Sequence, residues 1–212
     1  MTVKAKMPQE KSRSELKREA ILNAASDAFQ TFGVHNTSMD KLAALAGVSK
    51  RTVYNHFSSK EALVMELLSV LWKSSISADT LAQISTCSVK QQLITLLHQE
   101  ICVIAQPGYL EMAKVAMGHF MFKPDELQEQ LKTMSKEDTA LHVWLEQQSE
   151  SGALKVTNVE LARNQLHNLI KGSAFWPQVM GACPPLTEEE GLALAENTAN
   201  LFLGYYLKSE QF

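Results

Sequence analysis

The sequence predicts an all-α protein of about nine helices, and three observations favour this fold class. Helix-start signals, in which Ser or Thr is followed three residues later by Asp, Glu or Gln, recur along the whole chain. Strand signals are nearly absent, because there is no sustained period-two run of β-branched and aromatic residues and no Asn-Gly or Asp-Gly turn. Glycine and proline breakers separate the helical segments. The start signals lie at Ser12, Thr37, Ser58, Ser88, Ser135, Thr157 and Thr187.

Length and composition are those of a globular protein with a sizeable core, since 45% of the 212 residues are apolar. The N-terminal segment MTVKAKMPQEKSRSELKRE has no apolar signal region, and no stretch approaches about 18 uninterrupted apolar residues. We therefore expect a cytoplasmic protein without a membrane span. The three cysteines are odd in number and widely spaced, which predicts reduced thiols rather than a disulfide framework.

The net charge of −3 hides an asymmetry along the chain. Residues 1–60 carry ten Lys and Arg against five Asp and Glu, a charge of +5, whereas residues 61–212 carry ten against eighteen, a charge of −8. Cationic side chains that neutralise phosphates release condensed counterions and so drive association. The asymmetry favours a polyanion-binding N-terminal segment ahead of an acidic domain.

After a flexible basic arm over residues 1–13, residues 14–59 have the layout of a helix-turn-helix domain. Gly33 ends the first helix, and Gly47 supplies the sharp turn before the third. The helices are predicted from Ser14 to Phe32, from Thr37 or Ser38 to Ala46, and from Lys50 to Phe57. Helical spacing predicts that their buried faces carry Ile21, Leu22, Ala25, Ala28, Phe29, Phe32, Met39, Leu42, Ala43 and Leu45.

The third helix is predicted to have two different faces. Val53 and Phe57 lie four residues apart and should pack onto the first two helices. Arg51 and Asn55 lie opposite, and their side chains suit guanine and adenine edges respectively. For this short segment taken alone, an ordinary solvated polar face is the more common interpretation.

The run REAILNAASDAFQTFGVHNTSMDKLAALAGVSKRTVYNHFSSKEAL, residues 18–63, resembles the DNA-binding domain of the TetR family of bacterial transcriptional regulators. The similarity covers the first helix, TSMDKLAALAGVS across the second helix and turn, TVYNHF in the third, and SSKEAL opening the fourth. Many members have glycine where Arg51 stands, which makes Arg51 the expected specificity residue. The resemblance and the helix faces together predict DNA contacts from Thr37, Ser38, Lys50, Arg51, Thr52, Tyr54, Asn55, His56 and Lys60.

The resemblance implies that residues 60–212 form a helical ligand-binding and dimerisation domain, and the segment KGSAFWPQVMG resembles the AefR-like C-terminal subgroup. A helix over about 60–80 would join the two domains. The last helix carries a stripe at helical spacing that is expected at the dimer interface, namely Leu192, Ala195, Ala199, Phe202 and Tyr206. Packing of this stripe inside the monomer gives the same pattern.

Met and aromatic residues of the central helices are the candidates for an apolar ligand pocket, although core packing is the commoner role of each. They are Met65, Trp72, Met112, Met117, Phe120, Trp144, Phe175 and Trp176. His98, His119, His142 and Asn168 are possible polar contacts. The pairs His98 with Cys102 and His142 with Glu146 have zinc-ligand spacing but no third ligand at matching spacing, so we expect no metal.

These features predict a homodimeric regulator, most simply a repressor, that binds an inverted-repeat operator in double-stranded DNA. A small-molecule effector would favour the arrangement that does not bind DNA. No catalytic motif stands in its proper context, and no cofactor is expected. The alternatives are a helical small-molecule-binding protein without operator binding and an enzyme.

Overall fold

The computed structural model describes residues 12–75, 78–106, 108–126, 128 and 139–208, with the side chains of residues 72–75, 78 and 79 left out. Helices dominate these residues, which confirms the predicted all-α class, and one isolated antiparallel bridge joins Leu154 to Leu207. The helices are α1 (Arg13–Phe32), α2 (Met39–Leu45), α3 (Lys50–His56), α4 (Lys60–Ser75), α5 (Ala78–Ile84), α6 (Val89–Ile104), α7 (Tyr109–Phe120), α8 (Ala140–Glu150), α9 (Val159–Ala174), α10 (Trp176–Val179) and α11 (Glu188–Tyr206). Two short helices, α5 and α10, were not foreseen as separate elements.

The chain divides into two compact units, Met1–Leu63 and Val64–Phe212, which we call the head and the body. In the head, α1, α2 and α3 enclose a small core in which Ile21, Ala25, Leu42 and Val53 are fully buried. Gly47 takes a φ of 64° in the turn between α2 and α3, a conformation that glycine adopts without strain. The sharp turn predicted at this glycine is therefore present.

Two expected core residues of the head are exposed. Phe32 is 43% exposed in the last turn of α1, where the ammonium of Lys41 lies 3.2 Å from its ring centroid. Leu45 is 53% exposed at the end of α2. The predictions for both were wrong because each closes the last turn of its helix, beyond the residues that face the shared core.

Helix caps follow the predicted pattern at some positions and shift by one residue at others. Complete capping boxes stand at Ser12 with Glu15 and at Thr187 with Glu190. Ser88 also caps α6 as predicted, and the predicted Ser135 lies outside the described residues. Before α2, α4 and α9 the capping oxygen comes from Ser38, Ser59 and Asn158, each one residue after the predicted Thr or Ser. In these three places two adjacent polar residues compete for the capping position, and the start pattern alone does not separate them.

The body is built around α6, whose Leu93, Leu96 and Leu97 are fully buried. Helix α11 approaches α6 closely at Gly191, where an added Cβ would lie 3.0 Å from Cγ2 of Ile101. Gln92 of α6 provides a buried polar link, because its Oε1 accepts a hydrogen bond from Nε1 of Trp144 at 2.7 Å. The core of the body therefore depends on the contacts that α6 makes.

Candidate DNA-binding surface and ligand cavity

Helix α3 presents one face to the core of the head and the other to solvent. Ser49 caps it by accepting a hydrogen bond from the amide of Thr52 at 3.1 Å. Val53 and Phe57, 0% and 4% exposed, anchor the inner side. Arg51 and Asn55 are exposed on the outer side. The structure thus has the arrangement of inward and outward residues that helical spacing predicted.

Lys50 is held by an acid of the preceding helix. Its ammonium lies 2.8 and 3.0 Å from the two carboxylate oxygens of Asp40, and both side chains are more than half exposed. The hydrogen bond to Asp40 raises the pKa of Lys50. Asp40 was not among the predicted surface residues, although its position ten residues before Lys50, across the helix-turn-helix, brings the two side chains near each other.

Three further residues of the predicted surface are exposed or half-buried. Tyr54 is 45% exposed on α3. Thr52 is half-buried, and its hydroxyl lies 2.8 Å from that of Ser49. His56 is also half-buried, with its ring 6.4 Å from the ring of Phe57. These three flank the outward face formed by Arg51 and Asn55.

Thr37 is placed differently from the prediction. It is 0% exposed, and its hydroxyl donates a hydrogen bond to the carbonyl oxygen of Gly33 at 2.9 Å. A phosphate cannot reach a fully buried hydroxyl, so the predicted DNA contact from Thr37 is corrected to a role in holding the turn before α2. Ser38 is exposed and caps α2.

Lys60 begins α4 and is half-buried. Its ammonium donates a hydrogen bond to the carbonyl oxygen of Val34 at 2.9 Å. This contact fixes the start of α4 to the segment that follows α1. A predicted phosphate contact from Lys60 would have to be made alongside this internal hydrogen bond.

The body contains an apolar cavity of about 430 Å³. Residues of α4, α7 and the C-terminal end of α9 line it, and Lys171 and Tyr109 supply polar side chains among the described residues. The lining consists of Met65, Leu68, Tyr109, Ala113, Ala116, Met117, Phe120, Met121, Lys171 and Phe175. Its size lies within the range of small-molecule sites.

Four of the eight predicted pocket residues line this cavity: Met65, Met117, Phe120 and Phe175. Met112 is buried but does not line it. Trp176 is 48% exposed outside it. The side chain of Trp72 lies outside the described residues.

Trp144 belongs to the core of the body rather than to the cavity. It is 1% exposed, and its indole N–H is bonded to Gln92. The prediction of a pocket residue is corrected here, because Met and aromatic residues at helical spacing look alike in a core and in a pocket.

The two polar residues of the cavity lining were not predicted from the sequence. Tyr109 and Lys171 are half-buried there. Burial raises the pKa of Tyr109 to about 12 and lowers the pKa of Lys171, an effect that Glu100 opposes at Lys171. Glu100 itself is 1% exposed and lies 3.3 Å from Nε2 of His167. The spacing of Tyr109 with the cavity-lining residues of α7 was the available signal.

Most of the predicted dimer stripe of α11 packs inside the monomer. Ala195 and Ala199 are 0% exposed, so these two residues cannot face a second subunit, and the prediction is corrected for them; Phe202, 4% exposed, is buried in the same core. Tyr206 packs against the same core, whereas Leu192 is 41% exposed. The stripe is an apolar helix face, and its buried residues pack on the side of α11 that faces α6.

A different face of α11 is apolar and exposed. Leu201 is 67% exposed and Tyr205 is 78% exposed. Together with Leu169 of α9, which is 41% exposed, they border a groove between the two helices. The groove is lined by Gln165, Asn168, Leu169, Leu201, Phe202, Tyr205 and Tyr206.

Three histidines of the body contact side chains that lie close to them in the sequence. His98 Nε2 lies 3.6 Å from Sγ of Cys102, and His142 Nε2 lies 3.3 Å from a carboxylate oxygen of Glu146. His119 is bound by Glu126 at 3.0 Å. Among the described residues, no group of three or more His, Cys, Asp or Glu side chains is arranged to hold a metal ion.

Comparison with known proteins shows to which family this chain belongs. Residues 21–67 match the profile described as bacterial regulatory proteins of the tetR family, and residues 91–208 match the C-terminal domain of AefR-like transcriptional repressors. The second match alone covers more than half of the chain. The protein belongs to the TetR family. Members of this family regulate transcription through a helix-turn-helix domain and are not enzymes.

Two kinds of TetR-family protein resemble this chain: solved structures that match over nearly its whole length and curated relatives that match over a part of it. Whole-length similarity comes from solved structures: a regulator from Pseudomonas syringae pv. tomato is 36% identical with a TM-score of 0.66, covering 92% of this chain and 98% of that one. A regulator from Mesorhizobium loti shares the fold at 23% identity and a TM-score of 0.73, covering 93% and 100%.

Curated TetR-family relatives match over a part of the chain, and the chain spans about a quarter of their length. RutR of Escherichia coli is 50% identical over 52 residues, which is 24% of each chain. The transcriptional activator FasR of Mycolicibacterium smegmatis is 41% identical over 63 residues, 30% of this chain and 26% of that protein. No helix in the described part of the chain has the length and apolar character needed to cross a bilayer.

Proposed function

We propose that this TetR-family protein is a cytoplasmic, ligand-responsive repressor that binds an inverted-repeat operator as a homodimer. Each subunit would insert α3 into a major groove, with half-sites about one helical turn, 34–36 Å, or a multiple of it apart. The observation that carries the proposal is the outward face of α3, where Arg51 and Asn55 are exposed beside a buried anchor.

The surface chemistry of the head supports DNA as the partner. The Arg51 guanidinium can donate two hydrogen bonds to O6 and N7 of guanine, and the Asn55 amide suits N6 and N7 of adenine. The exposed side chains of Lys50, Tyr54 and Ser38 would contact phosphate oxygens and set the register on the duplex. The charge of +5 over residues 1–60 strengthens each of these contacts.

The dimer would form through the exposed faces of α9 and α11. Leu169, Leu201 and Tyr205 form an exposed apolar surface there, and such surfaces commonly mark protein interfaces. A two-fold dimer repeats the same surface on both subunits, which agrees with the two-fold symmetry of an inverted repeat. This interface does not use Ala195 and Ala199, which are fully buried, whereas Phe202 and Tyr206 of the predicted stripe line its groove.

The cavity of the body would bind the effector. A ligand that binds one arrangement of the dimer more tightly shifts the population toward it, and reciprocally its affinity falls when DNA is bound. Typical couplings correspond to about 5–150-fold changes in DNA affinity. Release of the operator by an effector would relieve repression.

The experiment that tests this function is selection of bound sequences from random duplex DNA by the full chain. We expect an inverted repeat whose binding weakens steeply as salt concentration rises. Arg51→Ala should reduce affinity for the selected site by about 10–100-fold and relax the preference at one base pair of each half-site. Lys155→Ala, which removes an exposed cation from the body, should leave both unchanged.

Two results would contradict the proposal. If no duplex is bound in a salt-dependent way, the protein is a ligand-binding member of the family without operator binding. If Arg51→Ala leaves the selected sequence and affinity unchanged, α3 does not read DNA through its outward face. A reporter placed behind the selected site then separates a repressor from an activator such as FasR, because only a repressor lowers its expression.

A further inference from the structure

The cavity of the body combines aromatic walls with flexible methionines. Eight of the ten described residues that line it are apolar. Among them, Met65, Met117 and Met121 contribute thioethers, and Phe120 and Phe175 contribute rings. A thioether adapts its shape to a ligand and makes favourable contacts with the edge of an aromatic ring. The lining therefore suits a flat aromatic surface.

The aromatic walls of the cavity are held by perpendicular ring contacts. The ring of Phe175 meets that of Tyr109 at a centroid distance of 6.4 Å and that of Trp176 at 5.1 Å, both at an interplanar angle of 74°. Phe120 meets the ring of His119 at 4.8 Å and 88°. Edge-to-face pairs are a preferred aromatic geometry. Rings that are already ordered lose little conformational freedom on binding, which favours a rigid ligand.

The two polar residues of the lining are under the influence of a buried acid. Burial lowers the pKa of Lys171, and Glu100 opposes this effect. Burial also raises the pKa of Tyr109 to about 12, and Glu100 adds to this shift. Glu100 is 1% exposed. The charge of Lys171 is therefore compensated from within the body, and Tyr109 is a neutral phenol at physiological pH.

This arrangement disfavours a charge on the ligand. A carboxylate in the cavity would bring a second negative charge toward Glu100, and an ammonium would bring a second positive charge toward Lys171. Either ion would also lose its hydration against a mainly apolar lining, and the loss of hydration is costly for a charged group. An uncharged ligand avoids both costs.

We propose that the cavity binds an uncharged, rigid aromatic compound, whose ring contacts Met117, Phe120 and Phe175. The thioethers and ordered rings would select an aromatic over a saturated ligand, and the internal charge compensation would select a neutral over an ionic one. That this compound acts as the effector rests on the proposed function, whereas its binding to the cavity does not.

The test compares four bicyclic probes in isothermal titration calorimetry of the full chain without DNA. The probes are methyl β-naphthyl ketone, β-naphthoate, β-naphthylmethylamine and methyl β-decalyl ketone. We expect the aromatic ketone to bind at least about tenfold more tightly than the carboxylate or the amine, because each ion loses hydration without gaining a partner. The aromatic ketone should also bind a few-fold more tightly than the saturated ketone, although burial of apolar surface alone favours the saturated ring.

Two double variants test the role of the thioethers. Met65→Leu with Met117→Leu removes two sulfurs from the lining at similar side-chain volume, and it should reduce the preference for the aromatic over the saturated ketone. The matched control is Met112→Leu with Met180→Leu, since neither methionine lines the cavity. It should retain the wild-type preference.

A third variant tests whether the probes occupy the cavity. Ala116→Leu extends a lining side chain into the space and should weaken both ketones several-fold. Circular dichroism melting shows whether each variant is folded at the titration temperature. If Ala116→Leu does not fold, the wild-type comparison and the methionine variants decide the outcome.

The proposal is overturned if the wild-type protein binds none of the four probes, or binds either ion or the saturated ketone as tightly as the aromatic ketone. It is also overturned if the folded Met65→Leu, Met117→Leu protein keeps the full aromatic preference, or if folded Ala116→Leu binds the ketones unchanged. A separate gel shift of the selected operator distinguishes the two proposals. An aromatic ketone that binds the cavity but leaves the DNA complex intact contradicts only its effector role.

Discussion

The head and the body each expose a surface that their own helices do not cover, and the two surfaces differ in chemistry. On the head it is the outward face of α3, with Arg51 and Asn55. On the body it is the groove between α9 and α11, bordered by Leu201 and Tyr205. Because charged polar groups suit a hydrated polyanion and apolar groups suit a desolvated protein surface, the two units are suited to different partners.

The two regions also differ in how closely function is linked to local sequence. In the head, a helix of seven residues carries both the anchor Val53 and the outward Arg51, so position along one helix fixes the role of each. In the body, the role of a residue depends on which of several helices it meets. Residues of similar type consequently have different roles in the cavity, the core and the groove.

A charge introduced into the exposed apolar groove of the body should have the largest effect on DNA affinity. Leu201→Asp places a carboxylate in the proposed dimer interface, and we expect monomers in analytical ultracentrifugation at concentrations where the wild type is dimeric. Loss of the link between two half-sites should lower affinity for the selected inverted repeat by about 10²–10⁴-fold. A single half-site should still be bound weakly.

The control for this change is Met180→Asp, which adds the same charge at a residue that is 76% exposed and outside the groove. It should leave both the dimer and DNA affinity intact. A Leu201→Asp protein that remains dimeric would show that the exposed face of α11 is not the interface.

Two single tryptophan variants of the body distinguish a core position from a surface position by their effect on stability. Trp144→Ala should destabilise the protein by about 3–5 kcal/mol, because a large buried side chain is removed and Gln92 loses its indole donor. Trp176→Ala, at a side chain that is 48% exposed, should cost less than half as much. Urea unfolding followed by circular dichroism measures both, and equal losses would contradict the core assignment of Trp144.

Sequence reasoning succeeded where one helix determines the outcome. The inward position of Val53 and the outward position of Arg51 follow from 100° per residue and need no knowledge of other helices. The prediction for Thr37 was wrong. Either Thr37 or Ser38 could cap α2, and the sequence does not show that the Thr37 hydroxyl instead donates a hydrogen bond to the carbonyl oxygen of Gly33 in the interior.

In the body, the apolar pattern identified helix faces but not what each face meets. Phe202 and Trp144 carry the expected apolar character, yet both pack in the core because α6 lies between the surrounding helices. The small side chains of Ala113 and Ala116 help make room for the cavity, and alanine gives no such indication in a sequence. These assignments require the three-dimensional packing.

The smallest expected effect concerns the ion pair at the edge of the DNA-binding surface. Asp40→Asn removes the carboxylate that lies 2.8 Å from the Lys50 ammonium and so frees this cation for a phosphate. We expect DNA affinity to rise a few-fold at low salt, with the slope of log affinity against log salt steeper by about one unit.

Asp27→Asn is the matched control, since it removes the same charge from an exposed position on α1. It should raise affinity slightly through net charge while leaving the salt slope unchanged. Equal slopes for the two variants would mean that the freed Lys50 makes no phosphate contact. The ion pair would then be a feature of the head alone, and DNA-backbone binding would rest on the remaining polar residues of α3 and on Ser38.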